Sequence, residues 1–161
     1  MSVNRGKQFE EQVRLGLEAV PDTNVVRLID PQAGFAGVSN VCDFIAYRFP
    51  RQFMIECKSC YKNTLSIHTN NPKNKYGAIS NTQWEGLLEA SKKKGVVAGV
   101  LIWYIDHDET IFVPIRILQQ LRDEGEKSVN IKDKTKLLGS WIIPGKKRRV
   151  LFDYDFTSFL G

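Results

Sequence analysis

The sequence predicts one mixed α/β domain in which a central sheet carries helices on its faces. Its 161 residues, 42% hydrophobic and 25% charged, suffice for a hydrophobic core without disulfides or a structural metal. Helical periodicity near the N-terminus and again in the middle of the chain alternates with β-prone runs. Residues 96–105 form an unbroken apolar run, the mark of a strand buried on both faces. No repeat or linker divides the chain, so residues 1–161 are read as one unit.

A first helix is expected over residues 4–20, with Phe9, Val13, Leu17 and Val20 on one stripe and Pro21 ending it. A strand at 25–29 and a flexible loop at 30–40 lead into two β-prone runs, 41–48 and 51–59, joined at Phe49-Pro50. A short third strand at 65–68 precedes a basic, Asn-rich loop at 69–76 that could touch DNA. The second helix begins at Thr82-Gln83-Trp84-Glu85, which matches a capping box and makes Glu85 a cap rather than a catalytic acid. It turns Leu87, Leu88 and Ala90 inward, carries Lys92-Lys93-Lys94 in its last turn and stops at Gly95. The strand at 96–105, a turn at 106–109 and a returning strand at 110–114 are followed by a short helix at 115–123. Gly145-Lys146-Lys147-Arg148-Arg149 precedes an apolar strand at 150–152, and reads either as a basic patch for phosphates or as an ordinary exposed turn.

The chemistry concentrates in the hairpin at 41–59. If Arg48 and Arg51 close a two-residue loop, Asp43 falls opposite Glu56 with Cβ atoms about 5 Å apart. Lys58, two residues on, shares their face. Adjacent carboxylates repel, and a hard cation resolves that repulsion. Magnesium, with manganese as its substitute, accepts oxygen ligands from one or two carboxylates plus substrate phosphate. Asp43 and Glu56 are thus candidate metal ligands, with the Cys57 carbonyl completing the shell and Lys58 supporting the attacking water and the developing charge. The alternative is an ordinary hairpin whose acids and lysine face water, against which stands their placement inside apolar strands, Phe44-Ile45-Ala46 and Phe53-Met54-Ile55.

At these residues the chain resembles the PD-(D/E)xK nuclease superfamily, in which an acidic residue on one strand is followed by Glu or Asp-x-Lys on the next. Asn4-Arg5-Gly6-Lys7-Gln8-Phe9-Glu10-Glu11 is similar to the opening helix of RecU-type Holliday-junction resolvases, where a Glu lies near the metal. That resemblance implies a restriction-endonuclease-like core. It implies a metal-side role for Glu10, with Glu11 as the substitute, and DNA contacts from Arg5, Lys7, Lys62, Thr64 and Gln83. The stretch 30–41, short and rich in Gly and Ala, stands where RecU proteins carry a long stalk, as in a reduced, phage-like relative. By residue pattern alone, Glu10 beside the apolar stripe is equally a solvated helix carboxylate.

A net charge of +5 favours a polyanionic partner, with branched or duplex DNA foremost. The polar N-terminus and the shortness of the longest apolar run argue for a cytoplasmic protein without a membrane partner. Cys42, Cys57 and Cys60 are read as reduced thiols. Cys57-Lys58-Ser59-Cys60 has redox spacing, and the hairpin register sets Cys42 opposite Cys57, but the isolated His68 and His107 offer no second ligand pair for zinc. The expected function is a magnesium-dependent endonuclease that cuts four-way junctions symmetrically as a homodimer. A duplex endonuclease of restriction or repair type with the same site, and a non-catalytic nucleic-acid-binding module, are the alternatives.

Overall fold

The computed structural model describes residues 3–29 and 40–161; the expected loop at 30–40 and the Gly- and Ala-rich stretch lie almost entirely outside them. Helix α1 (Arg5–Glu18) begins under Asn4, whose side chain accepts from the Lys7 N–H at 3.1 Å. Strands β1 (Asn24–Arg27), β2 (Phe44–Arg48) and β3 (Arg51–Cys60) form an antiparallel set. The β2–β3 register pairs Arg48 with Arg51 and Phe44 with Ile55, as the two-residue loop requires. β4 (Thr64–Ser66) precedes α2 (Asn81–Ser91), which provides the crossover to β5 (Val96–Tyr104); β5 runs parallel to β3 from Gln52–Val96 to Cys60–Tyr104. β6 (Glu109–Pro114) returns antiparallel, and α3 (Ile115–Asp123) has the bounds its sequence predicts. β7 (Ser128–Asn130) pairs with β4, and β8 (Trp141–Ile142) borders the main sheet, whose order is β1-β2-β3-β5-β6-β8. β9 (Gly145–Arg148) and β10 (Leu151–Tyr154) make a hairpin before the short α4 (Thr157–Leu160).

Alternation explains the continuous apolar run. Val100, Ile102 and Tyr104 face the cluster formed with Trp84, Leu87 and Leu118, whereas Leu101 and Trp103 face Phe9, Val13, Tyr154 and Phe156. The sheet is thus covered on both sides, by α2 and α3 on one face and by α1, β10 and α4 on the other. Burying each large apolar side chain contributes about 1.5–3 kcal/mol. Among the described residues, no helix is long and apolar enough to cross a membrane.

Several boundaries differ from the sequence reading. The second helix is capped by Ser80, with Gln83 completing the box, so the expected Thr82–Glu85 box is corrected. Ser80 wins because its extended backbone lets its hydroxyl accept the Gln83 N–H at 3.1 Å, while Glu85 turns instead to the Tyr76 hydroxyl and Lys75. The three lysines therefore follow the helix rather than occupy its last turn. Tyr76, at the end of the expected loop at 69–76, is buried and stacked on Trp84 at 4.6 Å. Residues 145–148, read as a turn or patch, form a strand whose outward cations gave no alternating signal.

Candidate active site

β2 stops at Phe44, so β3 outruns it, and Asp43 is held where the pairing ends. The Asp43 N–H donates to the Ile55 carbonyl at 3.0 Å, and its own carbonyl accepts from the Leu28 N–H at 2.8 Å. With both backbone groups engaged, the side chain turns along the sheet edge. There Oδ2 accepts from the Cys57 N–H at 2.7 Å, satisfying the amide next to Glu56.

Glu56 faces the α2 side of β3 and is 3% exposed. Its Oε1 accepts from Gln83 Nε2 at 2.9 Å and lies 3.4 Å from Lys58 Nζ. Its Oε2 is buried with no hydrogen-bond partner. Burial, reinforced by the Asp43 charge and only partly offset by Lys58, pushes the Glu56 carboxyl up to about 8. Without a cation, then, the acid pair holds a proton near neutrality.

Gln83 joins the site to the start of α2. Its Oε1 accepts the Ser80 N–H at 3.1 Å, which fixes the amide so that its nitrogen points at Glu56. The capping reciprocity thus orients the functional contact. A hydrogen bond to the ionised form favours that form, yet one neutral amide donor offsets little of the burial cost.

On the α1 side a cleft of about 440 Å³ is lined by Lys7, Glu10, Arg27, Leu28, Ile29 and Asp43. Glu10 is ion-paired with Arg27 at 3.1 Å, and Glu11 lies farther from Arg27, at 3.5 Å. The fold therefore places Lys7 and Glu10 with Asp43 along the α1-side cleft, and Lys58 and Gln83 with Glu56; Asp43 links the two groups through the Cys57 N–H, next to Glu56. Arg5 bonds to Gln8 at 2.9 Å. Lys62 is exposed beyond β3, and Thr64 starts β4 opposite Asn130, so these two extend from the β3 end rather than line the cleft. Arg27 is the cleft residue the sequence reading missed; its one signal was a cation closing a strand just before the loop that leads to Asp43.

The thiols take no part. Cys42 packs in the α2-side core and Cys57 in the α1-side core, so the expected face-to-face placement is corrected: the strand pairing ends at Phe44, and Cys42 lies beyond it. Burial raises Cys42 to about 12, Cys60 to about 11 and Cys57 well above the ordinary thiol value. Among the described residues, no three or more His, Cys, Asp or Glu side chains are grouped to hold a metal. The donors present are instead the two carboxylates of Asp43 and Glu56, with one Glu56 oxygen buried and unpaired. That set fits a hard, partly hydrated divalent cation.

No protein-family model matches the chain, and no curated protein matches it in sequence. Its structure is similar to that of Hjc from Archaeoglobus fulgidus, a Holliday junction resolvase from an archaeal hyperthermophile. The TM-score is 0.55 at 20% identity, over 85% of this chain and 95% of that one. The chain thus has the fold of that structure, a mixed sheet flanked by helices.

Proposed function

We propose that the chain is a metal-dependent endonuclease that cuts branched DNA, with the four-way junction as its substrate. The observation that carries this reading is the buried Glu56 carboxylate, one oxygen unpaired, set beside Asp43 and Lys58 in a fold shared with a junction resolvase. In this reading Asp43, Glu56 and the Cys57 carbonyl hold magnesium, with manganese as its substitute. Bound there, the ion supplies charge neutralisation and Lewis acidity at a phosphate oxygen. Lys58, fixed against Glu56, presents an ammonium to the phosphate charge that develops during attack by water, and orients that water. Gln83 holds Glu56 by Oε1, and Oε2, left without a hydrogen bond, would be free to hold the ion. Glu10 bounds the cleft through Arg27, while Arg5, Lys7, Lys62 and Thr64 position the DNA backbone. Symmetric cutting of a junction needs two sites, which a twofold homodimer supplies. The motif at Arg5-Gly6-Lys7 favours a RecU-like subtype, and the short stretch at 30–41 a reduced, phage-like form of it.

The test compares wild type, Asp43→Asn and Glu56→Gln on four-way junction, linear duplex and flap DNA, with and without magnesium. Paired symmetric nicks in the junction, dependent on magnesium and lost in both variants, are expected. Cleavage of duplex alone would favour the restriction- or repair-type alternative, and unimpaired cutting by both variants would remove the site assignment. Salt-sensitive binding that survives Asp43→Asn, with no cleavage by wild type, would leave a non-catalytic binding module.

A further inference from the structure

The chain has two dense runs of cations, and the fold sends them to opposite ends of the sheet. Lys92-Lys93-Lys94 precede β5, whose first residue pairs with Gln52 beside the β2–β3 turn. Lys146, Lys147, Arg148 and Arg149 belong to the β9–β10 hairpin and its turn, and all four are exposed. Lys147 reaches Asp108 at 2.7 Å in the β5–β6 turn, at the end of β5 that pairs with Cys60, toward which β3 runs on from Glu56 and Lys58. Followed back from Phe156, β10 approaches the N-terminal part of α1: Phe156 and the Tyr154 carbonyl lie against Gly16, and the Tyr154 ring meets Phe9 edge-on at 5.9 Å. The hairpin turn therefore lies from Tyr154 in the direction of Phe9, the direction in which α1 carries Arg5 and Lys7. Within the hairpin, Lys147 and Arg148 are paired with Asp108 and Asp153, whereas Lys146 and Arg149 have no acidic partner among the ion pairs of the described residues.

We propose that the β9–β10 hairpin is a second contact for the nucleic-acid backbone, in which Lys146 and Arg149 grip phosphates of a duplex arm whose scissile strand lies at Asp43 and Glu56. The inference rests on the nuclease reading. The ion pairs of Lys147 and Arg148 anchor the ribbon, and the two remaining cations project from a rigid base set on an aromatic layer. Such contacts carry no sequence information; they add affinity and fix the angle of the arm.

The test uses the full chain with calcium replacing magnesium, so that DNA is bound but not cut. Affinity for a four-way junction and for linear duplex is followed against salt for wild type, for Lys146→Gln/Arg149→Asn, and for Lys93→Gln/Lys94→Gln at the other end. Asparagine suits position 149 because φ there is +58° and asparagine tolerates that conformation. Losing two phosphate contacts is expected to lower the log–log salt slope by about two and to weaken binding roughly tenfold or more at moderate salt. The far-end variant should match wild type, and all three should melt alike. An unchanged slope in the hairpin variant, or equal losses from both pairs, overturns the proposal; the latter would mark diffuse charge attraction, and the former a surface for another partner. The two readings fail separately. If the hairpin variant binds normally while Asp43→Asn abolishes cutting in magnesium, only the hairpin fails. If the slope drops but wild type cuts nothing, only the nuclease reading fails.

Discussion

Glu56 is the residue on which chemistry and stability conflict. Its ordinary value is 4.5, and the fold raises it to about 8, so between these the folded chain binds a proton that the unfolded chain does not. Stability from this group is fully present below about pH 4.5 and lost as pH rises through about 8, at about 1.4 kcal/mol per tenfold change in proton affinity. The metal-free protein is therefore expected to melt lower at about pH 9 than at about pH 5. Glu56→Gln should flatten that dependence, and magnesium should restore the wild-type melting temperature at high pH. Thermal melting across pH, with and without the ion, checks all three. Gln83 gives a second prediction. Gln83→Glu keeps an acceptor for the Ser80 N–H but loses the donor to Glu56 and adds a like charge, so α2 should stay intact while cleavage falls about 10- to 100-fold. Comparing helicity with single-turnover rates separates the two effects.

At the scale of elements, α2 approaches the chain just before Asp43 through a bare patch. A Cβ on Gly86 would lie 2.6 Å from Val41 Cγ1, so helix and loop touch directly. Alanine in a helix interior gains about 1 kcal/mol over glycine, whereas overpacking costs about 1–3 kcal/mol, and here the second effect wins. Gly86→Ala should destabilise the protein and slow cleavage by displacing Asp43. Adding Val41→Ala should return stability to wild type or above, as a double-mutant cycle of unfolding would read. The hairpin and the shared strand of Glu56 and Lys58 were legible because the two-residue loop fixed the register; Asp43, expected directly opposite Glu56, instead lies past the last pair, Phe44–Ile55, and its side chain accepts the Cys57 N–H. The link from Gln83 to Glu56 lies between residues remote in the chain, and only the parallel crossover brings them together. The cap shifted for a local reason: Ser80 and Thr82 both suit a helix start, and backbone conformation decides between them.

For the molecule as a whole, α1 and the long apolar strand announced a layered α/β fold, but the pairing of β3 with β5 and the C-terminal cover carry no local signal. Short pieces such as β8 and α4 take their conformation from packing rather than propensity. Phe156 is 0% exposed, Phe159 4% and Leu160 2%; they fill the α1-side core with Phe9, Trp103 and Phe112. Removing residues 155–161 should leave the α1 stripe without its partners, and the shortened chain should bind an apolar dye and lose its sharp melt. Loss of the sharp melt would confirm that the two sides of the sheet unfold as one unit.

That closing layer has a temporal side. α1 is made well before the aromatic side chains that cover it, since Phe9 and its partners Phe156 and Phe159 stand far apart in the chain. Until they emerge, Phe9, Val13 and Leu17 have only part of their native surroundings, and so distant a contact forms slowly. A nascent chain should accordingly lean on chaperones until Phe156, Phe159 and Leu160 have docked on α1.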